Sequence, residues 1–262
     1  MDAKQIKQMH FAESEGFSAK WRIEELEANP VIGNFDAAHL KEIHRRIFQD
    51  FPALGITKPA PGEFRSEIPP EKLYQKTRQL LSMNADSYVG YSWMSTDDRK
   101  ELDGILKTAN PGRLSKLDPE TFAASITKLY AQLDYIHPFQ DGNSRTLRTF
   151  TRQLARESGY NLDWTRFNQT PKSRDGLYIA RDRAVSEIAM NRLPECEQKF
   201  RMYDSIEQFR QRPGLEELMR QAVSRRAPPE KAAPRHDLAK NQAAPRARRP
   251  DRRATAADPV PE

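Results

Sequence analysis

The sequence predicts an all-α fold, and three observations carry that expectation. Apolar residues recur at three- and four-residue steps over long stretches. Several of these stretches open at an Asp or Asn suited to cap a helix. Alternation of period two is confined to one short segment. With 262 residues the chain is long enough for one sizeable core. Its 37% hydrophobic and 31% charged residues suit a helical core that carries a polar surface or appendage.

In chain order, residues 1–28 read as a helix with Phe11, Phe17, Trp21, Ile23 and Leu26 among charges, closed by Asn29-Pro30. Asp36 is the N-cap of a second helix, on which Leu40, Ile43, Ile47 and Phe48 share one face. His39 and His44 stand five apart, about 140° around a helix, so they do not form the i,i+4 pair of a zinc helix. They read as surface or core histidines. Residues 49–71 are too rich in Pro and Gly for a helix, and residues 63–68 alternate as a short strand or hairpin. A helix is expected from Glu71 through Leu73, Thr77, Leu80 and Leu81, and another from Asp98 to Thr108. Asn110-Pro111-Gly112 reads as a turn.

Asp118-Pro119-Glu120 is a helix start, with a capping acid, Pro at the first position and an acid in the first turn. Phe122, Ile126, Leu129, Tyr130, Leu133 and Ile136 then give the stripe of a buried helix, which Pro138 stops. Asn143 and Ser144 are candidate caps for the next helix, with Leu147, Phe150 and Leu154 inward and Gly159 after its end. Residues 175–191 and 197–222 read as further helices.

The formal net charge of +6 is unevenly spread. From residue 221 onward there are ten Lys and Arg against five Asp and Glu, with seven Pro, eleven Ala and no Phe, Tyr or Trp. Such a segment cannot bury enough surface to offset its ordering entropy and is expected to be a disordered basic tail. Nucleic-acid contact is therefore expected only through the tail, where no aromatics interleave for stacking. The single cysteine, Cys196, excludes an internal disulfide, which suits a reducing compartment. No apolar run approaches the ~20 residues of a membrane span, and the first residues do not form a secretory signal. A cytoplasmic protein without membrane contact is expected.

One stretch concentrates chemistry: Ile136-His137-Pro138-Phe139-Gln140-Asp141-Gly142-Asn143-Ser144-Arg145-Thr146-Leu147-Arg148. The start of the second helix offers backbone N–H groups and a positive dipole end to an anion. Gly142 allows close backbone approach. Arg145 and Arg148, three apart, can meet further phosphate oxygens, and Asp141 is placed to share a cation such as Mg2+ with phosphates. His137 can take a proton from an attacking hydroxyl. These are the components of transfer at a phosphorus centre.

The string resembles the motif of the Fic family (filamentation induced by cAMP, Fic/Doc superfamily), H-P-F-x-[D/E]-G-N-x-R, with the second family arginine matched by Arg148. The segment from Gly33 to Asp50 is similar to the family's first helix, and Gly62-Glu63-Phe64-Arg65 to the entry of its β-hairpin flap. The resemblance implies a helical bundle with a short hairpin flap, acting as a protein adenylyltransferase that moves AMP from ATP to a protein hydroxyl. His137 would be the general base and Asp141 the Mg2+ ligand. Gly142, Asn143, Ser144 and Arg145 would cradle the nucleotide's phosphates and Arg148 would meet the terminal one, with Tyr178 a candidate wall for the adenine. The flap, Glu63, Phe64, Arg65, Ser66, Glu67 and Ile68, would hold a protein substrate by strand addition. The expected organisation is an N-terminal helix over 1–29, the Fic domain over 30–195, a C-terminal helix over 196–224 and the tail over 225–262.

The sequence departs from the family at Ser144, where transferring members carry Gly and the phosphotransferase branch carries Lys. A second departure is the long link from Gly55 to Pro61. The self-silencing motif [S/T]-x-x-x-E-[G/N] is not matched, since Glu15-Gly16 has Phe11 at the Ser/Thr position. The resemblance then implies a toxin restrained by a small antitoxin that supplies the inhibitory Glu helix. The alternatives are a Fic-fold phosphotransferase, or an exported or conjugation-linked effector whose basic tail serves delivery.

Overall fold

Helix caps read from the sequence are where the fold begins. The computed structural model describes the backbone of residues 3–69, 72, 74–193 and 195–227, with side chains from residue 13 onward. Residues 1–226 form one compact unit. In chain order its elements are α1 (Ala3–Ala28), α2 (Ala37–Phe48), β1 (Tyr74–Leu80), β2 (Ala85–Tyr91), α3 (Thr96–Leu106), α4 (Pro111–Leu114), α5 (Pro119–Ile136), α6 (Asn143–Glu157), β3 (Tyr160–Leu162), α7 (Pro171–Met190), α8 (Glu197–Gln208), α9 (Leu215–Ala222) and β4 (Val223–Arg225). The expected disordered tail lies outside the described residues, apart from Arg225–Ala227 at its start.

Asp118 starts α5 as expected, its carboxylate accepting from the N–H groups of Glu120 and Thr121 at 3.0 Å each. The stripe from Phe122 to Ile136 is buried, as are Leu147, Phe150 and Leu154 of α6 and Leu40, Ile43, Ile47 and Phe48 of α2. Helix α5 packs against α3, α6, α7 and α9, and α2 packs on α6. Burial of these faces is what drives the bundle together.

Three expectations are corrected. Of the stretch from Glu71 to Leu81, where a helix is expected, the described residues are not helical, and Glu71 and Leu73 lie outside the described residues. Residues 74–80 form β1, paired antiparallel with β2 in the register Tyr74↔Tyr91, Lys76↔Val89 and Arg78↔Ser87. The strand's inward positions carry Tyr74, Lys76, Arg78 and Leu80, so three polar or amphipathic residues stand where an apolar alternation would have betrayed a strand. Residues 63–68 form no strand among the described residues. They run irregularly beside the hairpin, with Ile68 N–H donating to Trp93 O at 2.8 Å. The helix expected over 197–222 is broken into α8 and α9: Pro213 has no N–H to donate, and Gly214 is the extended N-cap of α9 with φ −75° and ψ 165°. A smaller difference is that Asn110-Pro111-Gly112 is not a free turn: Asn110 caps the short α4 through Arg113 N–H.

Helix α1 is held by Ala19 and Leu26 in the core, by Ile23 packed on it, and by polar contacts. Arg22 Nε and Nη2 each reach Asp50 at 2.7 Å, and Arg156 donates to Glu27 O at 3.0 Å. Leu26 is buried, whereas Phe17 and Trp21 are exposed.

Candidate active site

The turn between α5 and α6 brings the predicted site residues to one place. Helix α5 ends at His137, which takes the left-handed conformation with φ 49° and ψ 58°. A histidine there is strained by about 1–3 kcal/mol unless its surroundings hold it. Arg65 does so. Its Nε donates to His137 O at 2.7 Å and its Nη2 to Ile136 O at 3.1 Å and Ser92 O at 2.7 Å. Arg65 N–H donates to Pro138 O at 2.8 Å. A cation at the C-terminal end of α5 is also favoured by the helix dipole.

The histidine ring is buried between α5 and the hairpin. Tyr91 packs on it with ring centroids 3.8 Å apart, and Tyr74 meets it edge-on at 5.6 Å. Nε2 lies 3.3 Å from Lys76 Nζ, and Nδ1 lies 3.3 Å from the backbone oxygen of Asp134. Burial pushes the imidazole pKa down to about 4, against the opposing pull of the Asp134 carboxylate. The ring is therefore neutral at pH 7. Burial also lowers the Lys76 ammonium below its ordinary range.

Across the turn, α6 starts at Gly142, a residue with φ 76° and no side chain to cap the helix. Its first-turn N–H groups lack intrahelical acceptors by geometry. The glycine is required for a reason other than close approach of a ligand. A Cβ on Gly142 would stand 2.3 Å from Phe48 Cζ. Asn143, expected as a cap, is already the first helical residue. Its amide instead closes the loop, Oδ1 accepting from Phe139 N–H at 2.9 Å and Nδ2 donating to Phe139 O at 2.7 Å. Phe139 stacks on His44 at 3.8 Å, and both histidines of α2 are buried, which identifies them as core residues.

The Ser144 hydroxyl is engaged by α7: Oγ accepts from Arg181 Nη1 at 3.2 Å. Arg145 is held by Glu15 at 2.9 Å and lies over the Phe48 ring at 4.7 Å. That ion pair involves the acid of the near-miss Glu15-Gly16 step. Arg148 is half-buried and spends Nε on Ser144 O at 3.2 Å. Asp141 is exposed, with Oδ1 accepting from Gly142 N–H at 2.6 Å. Tyr178, on α7, stands under the Arg78 guanidinium at 4.4 Å and within 6.0 Å of Arg181.

The six residues assigned to a flap split. Glu63, Ser66 and Glu67 are exposed, Phe64 and Ile68 are half-buried, and Arg65 is buried in the loop clamp. Together with Tyr74 and Gln140 they line a groove of about 340 Å³. Sequence reasoning missed Lys76, Tyr74, Tyr91, Asp134 and Arg181. Asp134 was the one that left a trace, as a lone acid between Leu133 and Ile136 in an otherwise buried helix. No such trace exists for the hairpin residues.

A divalent cation fits this site in one way. Among the described residues no cluster of three or more His, Cys, Asp or Glu can hold a metal. The protein thus offers the Asp141 carboxylate, and phosphate and water oxygens would complete the shell, as Mg2+ prefers.

Residues 34–155 match the family model described as Fic/DOC family. The chain is 27% identical over 176 residues to protein adenylyltransferase VbhT of Bartonella schoenbuchensis, covering 65% of this chain and 32% of that protein. It is 26% identical over 135 residues to the probable protein adenylyltransferase y4lH of Sinorhizobium fredii, covering 50% of this chain and 58% of that one. The chain thus spans from about a third to somewhat over half of these relatives. Among solved structures, BepC, a VirB-translocated effector from Bartonella tribocorum with bound AMPPNP, superposes with a TM-score of 0.55 at 17% identity, over 83% of this chain and 88% of that one. That likeness shows the fold.

Proposed function

From a chain whose residues 34–155 belong to the Fic/DOC family, we propose a protein adenylyltransferase that moves AMP from ATP to a hydroxyl side chain of a target protein. The observation that carries this reading is the turn itself. A buried, neutral histidine at the end of α5 faces the uncapped start of α6 across four residues. The names of the curated relatives and the AMPPNP bound to BepC support it.

In this reading the target hydroxyl gives its proton to His137 Nε2 as its oxygen attacks the α-phosphorus. The new oxygen–phosphorus bond forms, the α–β phosphoanhydride breaks, and pyrophosphate leaves. Lys76 must first vacate Nε2. The N–H groups of Asn143, Ser144 and Arg145 hold phosphate oxygens at the dipole end of α6, and Arg148 meets the terminal phosphate. Mg2+ held by Asp141 would neutralise charge on the phosphates. Tyr178 is the candidate wall for the adenine. The groove beside Phe64, Ser66 and Glu67 takes an extended target segment, while Arg65 keeps the loop in shape. Incubation with ATP labelled at the α-phosphate and a bacterial lysate tests the reading. Label transfer abolished in His137→Ala is expected, and label arriving only from the γ-phosphate would instead identify a Fic-fold phosphotransferase. With His137 titrating near 4, the acid limb of kcat/KM is expected well below pH 6; a limb centred at 6.5 contradicts the burial argument.

Restraint has two readings. A toxin held by a separate antitoxin follows from the unmatched motif, and co-expression with the neighbouring small open reading frame should then relieve growth arrest. Restraint by the chain's own α1 is favoured by the Glu15–Arg145 ion pair. For location, the described residues include no helix long and apolar enough to cross a membrane. Action in the cytoplasm and delivery as an effector are separated by deleting residues 228–262, which leaves β4 intact: catalysis is unchanged in both cases, and transfer or nucleic-acid binding is lost only if the tail serves delivery.

A further inference from the structure

Behind His137 lies a buried charge pair that the motif does not contain. Asp134 stands three residues earlier on α5 and is 1% exposed, and Arg181 of α7 is 2% exposed. Arg181 Nη2 and Nε donate to Asp134 Oδ2 at 2.7 Å and 3.2 Å. Burial alone would push the Asp134 carboxyl up, but Arg181 and His137 hold it well below the usual carboxylate range, so it is ionised. Its other oxygen, Oδ1, is buried and accepts no hydrogen bond. That oxygen is 3.6 Å from His137 Nδ1.

The opposite side of the ring settles which nitrogen carries the proton. Lys76 Nζ is 3.3 Å from Nε2. An ammonium group donates and cannot accept, so Nε2 presents its lone pair. The proton then belongs on Nδ1, between the backbone oxygen of Asp134 at 3.3 Å and its carboxylate. Both sides select one tautomer, and it is the one that leaves Nε2 able to accept a proton.

We propose that Asp134, anchored by Arg181, is a positioning residue for His137, fixing the Nδ1–H tautomer and stabilising the imidazolium formed when Nε2 takes a proton. This rests on the general-base reading of His137 given above. As the ring becomes charged, the Nδ1–H meets an ionised oxygen with no competing donor, so little rearrangement is needed. Other groups act against the charged ring. Lys76 of β1 and Arg65 of the clamp oppose protonation, while Tyr74 and Tyr91, both with raised pKa values, remain neutral. Asp134 supplies the compensating negative charge at the ring. Through Nη1, the same Arg181 reaches Ser144 Oγ at 3.2 Å and so ties the base to the first turn of α6.

A pair that merely joined α5 to α7 would affect stability and leave the imidazole unchanged. Nitrogen-15 spectra of the His137 ring, recorded on the full chain without nucleotide between pH 5 and 8, separate the two. The wild type should show a protonated Nδ1 and a bare Nε2. In Asp134→Asn the new amide can donate to Nδ1, so the proton should move to Nε2, and α-label transfer should fall about 10²–10⁴-fold. A wild-type ring protonated at Nε2 overturns the proposal, and that spectrum decides even if the variant fails to fold. So does an Asp134→Asn ring with an unchanged tautomer. Because the spectra need no turnover, an Nδ1–H ring in a protein that transfers no label refutes the transferase reading while upholding the tautomer assignment.

Discussion

Ser144 is the residue at which sequence and structure say different things about the same atom. By comparison with a glycine it threatens to crowd a phosphate. Its hydroxyl instead accepts from Arg181 Nη1 at 3.2 Å. Ser144→Gly should accordingly change the initial rate of α-label transfer by less than about threefold and lower stability by about 1 kcal/mol, the typical net value of one hydrogen bond. A tenfold gain in rate would restore the crowding argument. Gly142 behaves in the opposite way. With φ 76° and Phe48 Cζ 2.3 Å from where a Cβ would stand, Gly142→Ala should destabilise the fold by roughly 2 kcal/mol or more. Thermal unfolding checks this, and a melting temperature within a degree of wild type contradicts it.

Among elements, the hairpin and α1 bear most on the site. The hairpin places Tyr74, Lys76 and Tyr91 against His137, with Lys76 Nζ 3.3 Å from its Nε2. Its inward face is polar because that face lines the site, and this same polarity made β1 read as a helix. Hydrophobic periodicity reports burial against a core and is silent where a strand's inner face meets polar side chains. Helix α1 delivers Glu15 to Arg145, the first arginine of the string from His137 to Arg148, at 2.9 Å. Glu15→Gly should free Arg145 and raise α-label transfer several-fold, measured with purified full-length chain. Unchanged transfer would mean that α1 does not restrain the site and would return weight to a separate antitoxin.

At the scale of the whole molecule, buried neutral histidines link stability to pH. Burial lowers the pKa of His39 and takes that of His137 to about 4. In the unfolded chain both titrate near 6.5, so between that value and about 4 the unfolded state binds more protons. Stability from these groups is complete above pH 6.5 and is lost as the pH falls toward 4, by up to roughly 3 kcal/mol for His137. The melting temperature should fall steadily from pH 7 to pH 4.5, and the fall should be shallower in His137→Ala. A flat profile over that range would show that the rings are protonated or solvated when folded.

The sequence by itself determined the bundle and the position of its chemistry. Caps at Asp36 and Asp118, apolar stripes on α2, α5 and α6, and the string from His137 to Arg148 are local, and local patterns survive into the fold. The tertiary structure alone decided what surrounds the histidine. Lys76 lies 61 residues away in sequence, Arg181 reaches Asp134 across 47 residues, and Glu15 reaches Arg145 across 130. Contacts at such separations leave no periodic trace, since each partner is locally an ordinary polar residue of its own element. The chemical types at the site are therefore legible in one dimension. Which nitrogen holds the proton, which arginine is already paired and which way Ser144 points depend on groups that only packing brings together.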